Sequence, residues 1–153
     1  MSRQTQNQTT IEAVPDLPVV RIVREFDAPR ENVFRAHADP ELVTQWLGPR
    51  RLTMRVERYD AVTGGGYRYT HVDTDGTEHK FYGSFHEMRF PERMVQTFTY
   101  EGYPDGVSLD TAQLDDLGDG RCRLTVTSLV DSIEARDMML ASGMEVGVNE
   151  GYE

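Results

Sequence analysis

The chain has 153 residues, and its 26 Asp and Glu residues outnumber its 16 Lys and Arg residues, which gives a net charge of −10. This excess of acid argues against binding to nucleic acid or to anionic lipid, because both need clustered cations. A single cysteine excludes an internal disulfide and a multi-cysteine metal site. We find no apolar run long enough to cross a membrane and no secretory signal, so we expect a cytoplasmic protein without a membrane partner.

The N-terminal segment differs in composition from the rest of the chain. Residues 1–17 are rich in Gln, Thr and Asn and lack a periodic apolar pattern, so we predict a disordered tail there. No second linker is visible after residue 18. Residues 18–153 are therefore predicted to form one domain.

The order of the elements predicts an α+β domain. β-Branched residues in Val19–Phe26 indicate a strand, and two short helices follow at Arg30–Ala38 and Glu41–Leu47. Turn motifs then separate further strands at residues 52–59, 66–72, 79–90, 94–100, 108–114 and 121–129. Ser132–Glu153 has the spacing of a long helix. Because hairpins link the strands, we predict an antiparallel sheet of about 6–7 strands that this helix covers.

Short motifs along residues 18–153 resemble one known family. In chain order they are Asp27-Ala28-Pro29, Val33-Phe34, Trp46-Leu47-Gly48-Pro49, Gly64-Gly65-Gly66, Gly83 with Phe85 and Glu87, Pro91-Glu92-Arg93-Met94-Val95, and Gly143-Met144 with Gly147. Their order resembles the branch of the START/Bet v 1-like (SRPBCC) superfamily that is similar to the activator of heat-shock-protein-90 ATPase (AHSA1-like). The resemblance implies a helix-grip fold, with a curved sheet round a long C-terminal helix and a cavity for hydrophobic ligands between them.

Aromatic side chains at alternate positions of neighbouring strands are the main candidates for lining that cavity. The full candidate lining is Trp46, Met54, Tyr67, Tyr69, His71, Phe81, Phe85, Phe98, Tyr100, Leu140, Gly143, Met144 and Gly147. The alternative is that these residues only fill the core. A shift of one residue in strand register would exchange the two faces, so the register decides between the alternatives.

Glycines recur every four residues, at Gly143, Gly147 and Gly151, on one side of the predicted C-terminal helix. Glycine destabilises a helix interior by about 1 kcal/mol relative to alanine, so close approach of a ligand or of a strand backbone would explain them. A bent or frayed helix is the alternative. Since Glu153 carries no glycine or asparagine cap after it, we expect the helix to be cut short there.

Candidates for acid–base chemistry are few. They are His71 and Tyr69 on the aromatic face, and Glu87, whose pKa would rise if the carboxyl were buried in the cavity. The four histidines form no metal-ligating pattern, and neither a phosphate-binding glycine loop nor a nucleophile elbow is present. We therefore predict no metal and no cofactor.

Three functions remain open. The first is binding of a small hydrophobic or aromatic ligand in the cavity. The second is a polyketide cyclase-like or dehydratase-like enzyme that uses the same cavity, so whether the chain is an enzyme stays undecided. The third, which the family's name implies, is a co-chaperone-like module that stimulates a chaperone ATPase. A homodimer would cover the edges of a hairpin-linked sheet.

Overall fold

The computed structural model describes residues 9–47 and 52–141. The strands are β1 (Thr10–Ala13), β2 (Val19–Phe26), β3 (Thr53–Tyr59), β4 (Gly66–Val72), β5 (Glu78–Arg89), β6 (Arg93–Tyr100), β7 (Ser108–Gly118) and β8 (Arg121–Leu129). The helices in this part of the chain are α1 (Arg30–Ala38), α2 (Pro40–Val43) and α3 (Ile133–Ala141). None of these helices is long and apolar enough to cross a bilayer.

All strand pairs in the sheet are antiparallel, in the order β1–β2–β8–β7–β6–β5–β4–β3. Each strand that the sequence predicts is present, and β7 extends past Leu114 to Gly118. Within residues 9–47 and 52–141 the sheet has eight strands rather than the predicted 6–7. The curved antiparallel sheet and its helices are consistent with a Bet v 1-like fold.

The additional strand corrects the prediction of an N-terminal tail. β1 pairs with β2 from Thr10 opposite Val23 to Ala13 opposite Val20. The prediction of disorder over residues 1–17 is therefore wrong for Thr10–Ala13. A segment of four residues is too short for its alternation to indicate a strand. Its extended conformation comes from hydrogen bonding to the edge of β2. Residues 1–8 lie outside the described residues.

One face of the sheet, called the inner face here, packs against α1. Val33 and Phe34 of α1 lie in a buried cluster with Leu114 of β7 and with Cys122 and Leu124 of β8. These side chains alternate along their strands with exposed or half-buried ones, as a sheet with one covered face requires. The cluster closes one end of the inner face and leaves β3–β6 to form the other end.

The joint between α1 and α2 is fixed by polar groups. Asp39 caps α2, since its Oδ1 accepts a hydrogen bond of 2.9 Å from the main-chain N–H of Glu41. The indole Nε1 of Trp46 donates to the carbonyl of Ala36 at 2.8 Å, and the ring packs on His37 with centroids 4.6 Å apart. Trp46 is therefore the anchor that holds the second short helix against the first.

Helix α3 is tied to the start of the sheet. Ser132 caps the helix by accepting from the main-chain N–H of Ala135 at 3.0 Å. Nη1 of Arg136 donates to the carbonyls of Val14 and Leu17, both at 2.8 Å, and the guanidinium also pairs with Asp137 at 3.0 Å. The predicted continuation of this helix to Glu153 lies outside the described residues.

We expect Arg136→Met to lower the free energy of unfolding by about 1 to 3 kcal/mol, because two carbonyls lose a charged donor. The guanidinium is only 12% exposed, so water replaces it poorly. Asp137→Asn is the matched control, since its exposed carboxylate contributes little and both carbonyl bonds remain. Urea unfolding measures both variants, and equal losses would contradict the anchoring role.

Candidate functional site

Aromatic rings form a continuous row across the inner face. In the strand register, Tyr69 lies opposite Phe81, and Phe81 lies opposite Tyr100. Ring centroids are 5.2 Å apart between Tyr69 and Phe81, and 5.3 Å from Phe81 to both Phe98 and Tyr100. Tyr100, at the far end, is 39% exposed. The structure therefore brings together the residues that the alternation places on one face.

The row is closed at one end and open along its middle. Tyr67, Tyr69 and Phe85 are buried together, and Phe85 is only 1% exposed. Phe81 and Phe98 retain accessible surface although the pleat of their strands directs them to the inner face. Small-molecule binding sites are usually lined by aromatic side chains that remain accessible on a concave face.

A glycine allows one tyrosine to cross the neighbouring strand. The hydroxyl of Tyr67 on β4 donates to the carbonyl of Thr97 on β6 at 2.5 Å and accepts from Nε2 of Gln96 at 3.3 Å. Gly83 of β5 lies between them, opposite Tyr67 in the register. A Cβ at position 83 would collide with the Thr97 carbonyl and would lie 2.6 Å from the Tyr67 hydroxyl. Glycine is therefore required here by close approach and not by its backbone angles.

His71 lies on the inner face and packs against both Tyr69 and Phe81, with ring centroids at 5.0 and 5.4 Å. The side chain is 5% exposed, and its Nε2 has no hydrogen-bond partner among the described residues. Burial, with a smaller contribution from His79, lowers the pKa of His71 to about 4. Burial also raises the pKa of the Tyr69 hydroxyl. Both groups are therefore uncharged at neutral pH.

Glu87 does not face the aromatic row, which corrects its proposed role as a buried acid. A register shift between β5 and β6 falls between Phe85 and Glu87 and reverses the alternation, so Met88 packs against the core instead. The Glu87 carboxylate accepts from Arg89 at 3.1 Å and from Arg93 at 2.9 Å. These hydrogen bonds, that from Arg89 first, lower the pKa of Glu87 rather than raise it.

The other candidate lining residues are spread over the structure. Trp46 lies at the joint of α1 and α2, while its neighbour Leu47 and Met54 of β3 pack against the buried aromatic cluster. Leu140 is half-buried on α3. The remaining candidates fall outside the described residues; they are Gly143, Met144 and Gly147.

Asp110 of β7 is an inner-face residue that the sequence analysis missed. Its Oδ1 accepts from Oγ of Ser128 at 2.5 Å, and Ser108 donates a second side-chain hydrogen bond. Burial raises the pKa of Asp110, although the two serine hydrogen bonds act in the opposite direction. The sequence did contain a signal that Asp110 faces inward. Leu114 marks the buried face of β7, and the alternate positions before it on the same face are Ser108, Asp110 and Ala112.

A separate polar cleft of about 170 Å³ opens near the start of α1. Its lining consists of Arg30, Arg89, Glu92, Arg93, Gln113, Leu114 and Asp115. Arginines here pair with carboxylates at close range, for example Arg93 with Glu87 at 2.9 Å and Arg89 with Glu92 at 3.6 Å. Because its charges are largely neutralised within the protein, this cleft is a weaker site than the aromatic face.

Comparison with known structures assigns the fold to a class. A crystal structure from Rhodobacter sphaeroides has a TM-score of 0.85 at 25% identity and covers 95% of this chain and 93% of its own. A solution structure from Arthrobacter aurescens has a TM-score of 0.84 at 27% identity, with coverage of 93% and 86%. An AHSA1 protein from Silicibacter pomeroyi, at 18% identity, shares the fold with a TM-score of 0.72, covering 86% of this chain and 93% of its own. The chain thus has a START-like fold.

The sequence itself gives the narrower assignment. Residues 27–153 match the family described as activator of Hsp90 ATPase homolog 1-like protein. This match covers most of the chain, so the protein belongs to that family, as its motifs indicate. No functionally curated protein matched the sequence.

Proposed function

We propose that this protein binds a small hydrophobic or aromatic molecule on the inner face of its sheet. The observation that carries the proposal is the row of stacked rings whose middle members, Phe81 and Phe98, retain accessible surface. A row that only filled the core would be buried throughout, as Phe85 and Tyr67 are. Membership of a START-like fold family, in which hydrophobic ligands are commonly bound, supports the same conclusion.

The polar groups beside the row favour recognition over catalysis. A cyclase-like or dehydratase-like mechanism needs an acid and a base that converge on the ligand. Glu87 is engaged with arginines away from the row, and burial lowers the pKa of His71 to about 4, which makes its imidazole a weak base. Binding is therefore the function that the geometry supports best.

Native mass spectrometry of the freshly purified protein is the first test. We expect a species heavier than the chain by the mass of one small molecule, or saturable binding of the neutral fluorescent probe N-phenyl-1-naphthylamine to the ligand-free chain. The spectra also distinguish a monomer from a homodimer. A clean mass of the bare chain together with no saturable fluorescence would contradict the proposal.

A pair of variants on β5 tests whether the binding site lies on the inner face. We expect Phe81→Leu to weaken the binding of N-phenyl-1-naphthylamine by about five-fold, since stacking of aromatic rings contributes about 1 kcal/mol. Tyr82→Leu is the control, because Tyr82 is the next residue on the same strand but is exposed on the opposite face. Equal effects of the two substitutions, measured by fluorescence titration, would contradict this location.

A further inference from the structure

Asp110 is a carboxylate among uncharged residues of the inner face. The register places it opposite Gln96 of β6 and Ser128 of β8. Two residues further along β7, Ala112 lies opposite Met94 and Val126. The pleat of three adjacent strands thus directs Asp110 towards the same side as the aromatic row.

The charge of Asp110 is not balanced by a cation in the part of the chain that the structure describes. Its interactions there are the hydrogen bonds from Ser128 and Ser108, and no arginine, lysine or histidine pairs with it. A carboxylate that is partly removed from water, with no cation beside it, loses solvation and so destabilises a fold. Residues that lower the stability of a fold in this way are often functional.

Asp110 also keeps unused capacity to accept hydrogen bonds. An ionised carboxylate offers about four acceptor positions, and the two serines occupy two of them. The neighbouring donor on this face, Nε2 of Gln96, is directed to Tyr67. Asp110 as a whole is half-buried rather than fully buried, so part of the residue remains accessible.

We propose that Asp110 determines the ligand class, by binding a hydrogen-bond donor, an ammonium or hydroxyl group, that is carried by an aromatic ligand. The rings of the row contact the apolar body of the ligand, and the carboxylate accepts from the donor at its end. An ammonium binds more tightly than a hydroxyl, since a charge-assisted hydrogen bond is about twice as strong as a neutral one. This inference rests on the proposed binding function and specifies its ligand.

Four probes that share a naphthalene ring test the inference by competition with N-phenyl-1-naphthylamine. They are 2-naphthylmethylamine, 2-naphthylmethanol, 2-methylnaphthalene and 2-naphthoate. We expect the amine to bind about ten-fold more tightly than 2-methylnaphthalene, the alcohol to lie between them, and the naphthoate to bind most weakly.

Asp110→Asn removes the charge while keeping an acceptor for the serines. We expect this variant to lose the preference for the amine and to bind 2-methylnaphthalene as the wild type does. Asp115→Asn is the matched control, because it makes the same change in net charge on β7 but concerns a residue that accepts from Gln113 away from the inner face. The control is expected to keep the preference.

The outcomes separate this inference from the proposed function. If 2-methylnaphthalene binds the wild type but the amine shows no advantage, the role of Asp110 is wrong and the binding function stands. A preference that survives in Asp110→Asn also overturns the role. If none of the four probes displaces N-phenyl-1-naphthylamine, the role of Asp110 is wrong, while the binding function stands on the saturable binding of that dye. If the dye itself does not bind and the native mass is that of the bare chain, the binding function fails and the inference fails with it. Should Asp110→Asn not fold, Ser128→Ala removes a hydrogen bond that holds the Asp110 carboxylate and is expected to reduce the preference for the amine; an unchanged preference would overturn the role.

Discussion

Gly83→Ala is expected to lower the free energy of unfolding by about 3 to 4 kcal/mol. Overpacking of a well-packed site costs about 1–3 kcal/mol, and loss of a buried hydrogen bond adds to this. The new Cβ would collide with the Thr97 carbonyl, a backbone atom that moves only if β6 moves with it. It would also displace the hydroxyl of Tyr67 from its bond to that carbonyl. Urea unfolding followed by circular dichroism measures the loss.

Two further variants distinguish the collision from other effects at this site. Ser84→Ala, at the next and exposed position of β5, is expected to change stability by less than about 0.5 kcal/mol. Tyr67→Phe removes the hydroxyl alone and is expected to cost about 1 to 2 kcal/mol. If Gly83→Ala were no more damaging than Ser84→Ala, the crossing of β5 by Tyr67 would not constrain the fold.

The stability of the protein should fall between pH 6.5 and 4 in a way that depends on His71. Burial holds the pKa of the folded state at about 4, whereas an unfolded histidine titrates near 6.5. In this interval the unfolded chain binds a proton that the folded chain does not, so acid favours unfolding. The difference in pKa corresponds to about 3 kcal/mol of stability, which is fully present above pH 6.5 and is lost as the pH falls towards 4.

His71→Phe isolates this contribution. The phenyl ring keeps the packing between Tyr69 and Phe81 and removes the unpartnered Nε2. We expect the stabilities of the variant and the wild type, from urea unfolding at several pH values, to diverge by about 2 to 3 kcal/mol from pH 7 to pH 4. His86→Gln, at an exposed position of β5, is the control and should follow the wild type. Parallel curves for His71→Phe and the wild type would show that the buried histidine does not govern the acid response.

The sequence was sufficient to predict the order of elements from Val19 to α3. Long strands with clear alternation, such as β4 and β5, and turns marked by glycine and aspartate carry a strong local signal. β1 carried no such signal, because its four residues are ordered by pairing with β2 and not by their own pattern. Because β1 depends on pairing with another strand, its local sequence pattern does not predict it.

The candidate site was predictable from the sequence where the alternation of the strands is unbroken, and not where a register shift interrupts it. Tyr67, Tyr69 and Phe81 lie together because β4 and β5 pair in continuous register. Glu87 was misplaced because a register shift after Phe85 has no distinct sequence signature, and every position beyond it changes face. Asp110 was missed for a different reason, since an acidic residue in a strand is expected on the solvent side.

The position of β2 has a consequence for the choice of domain boundaries. The family match begins at residue 27, whereas β2 ends at Phe26 and pairs with β8 along its whole length. Val20 of β2 is wholly buried, so this strand belongs to the core as much as any later one. A truncation designed from the family match would delete β1 and β2 and expose the edge of β8 to aggregation. Recombinant versions of this domain should therefore start before Thr10.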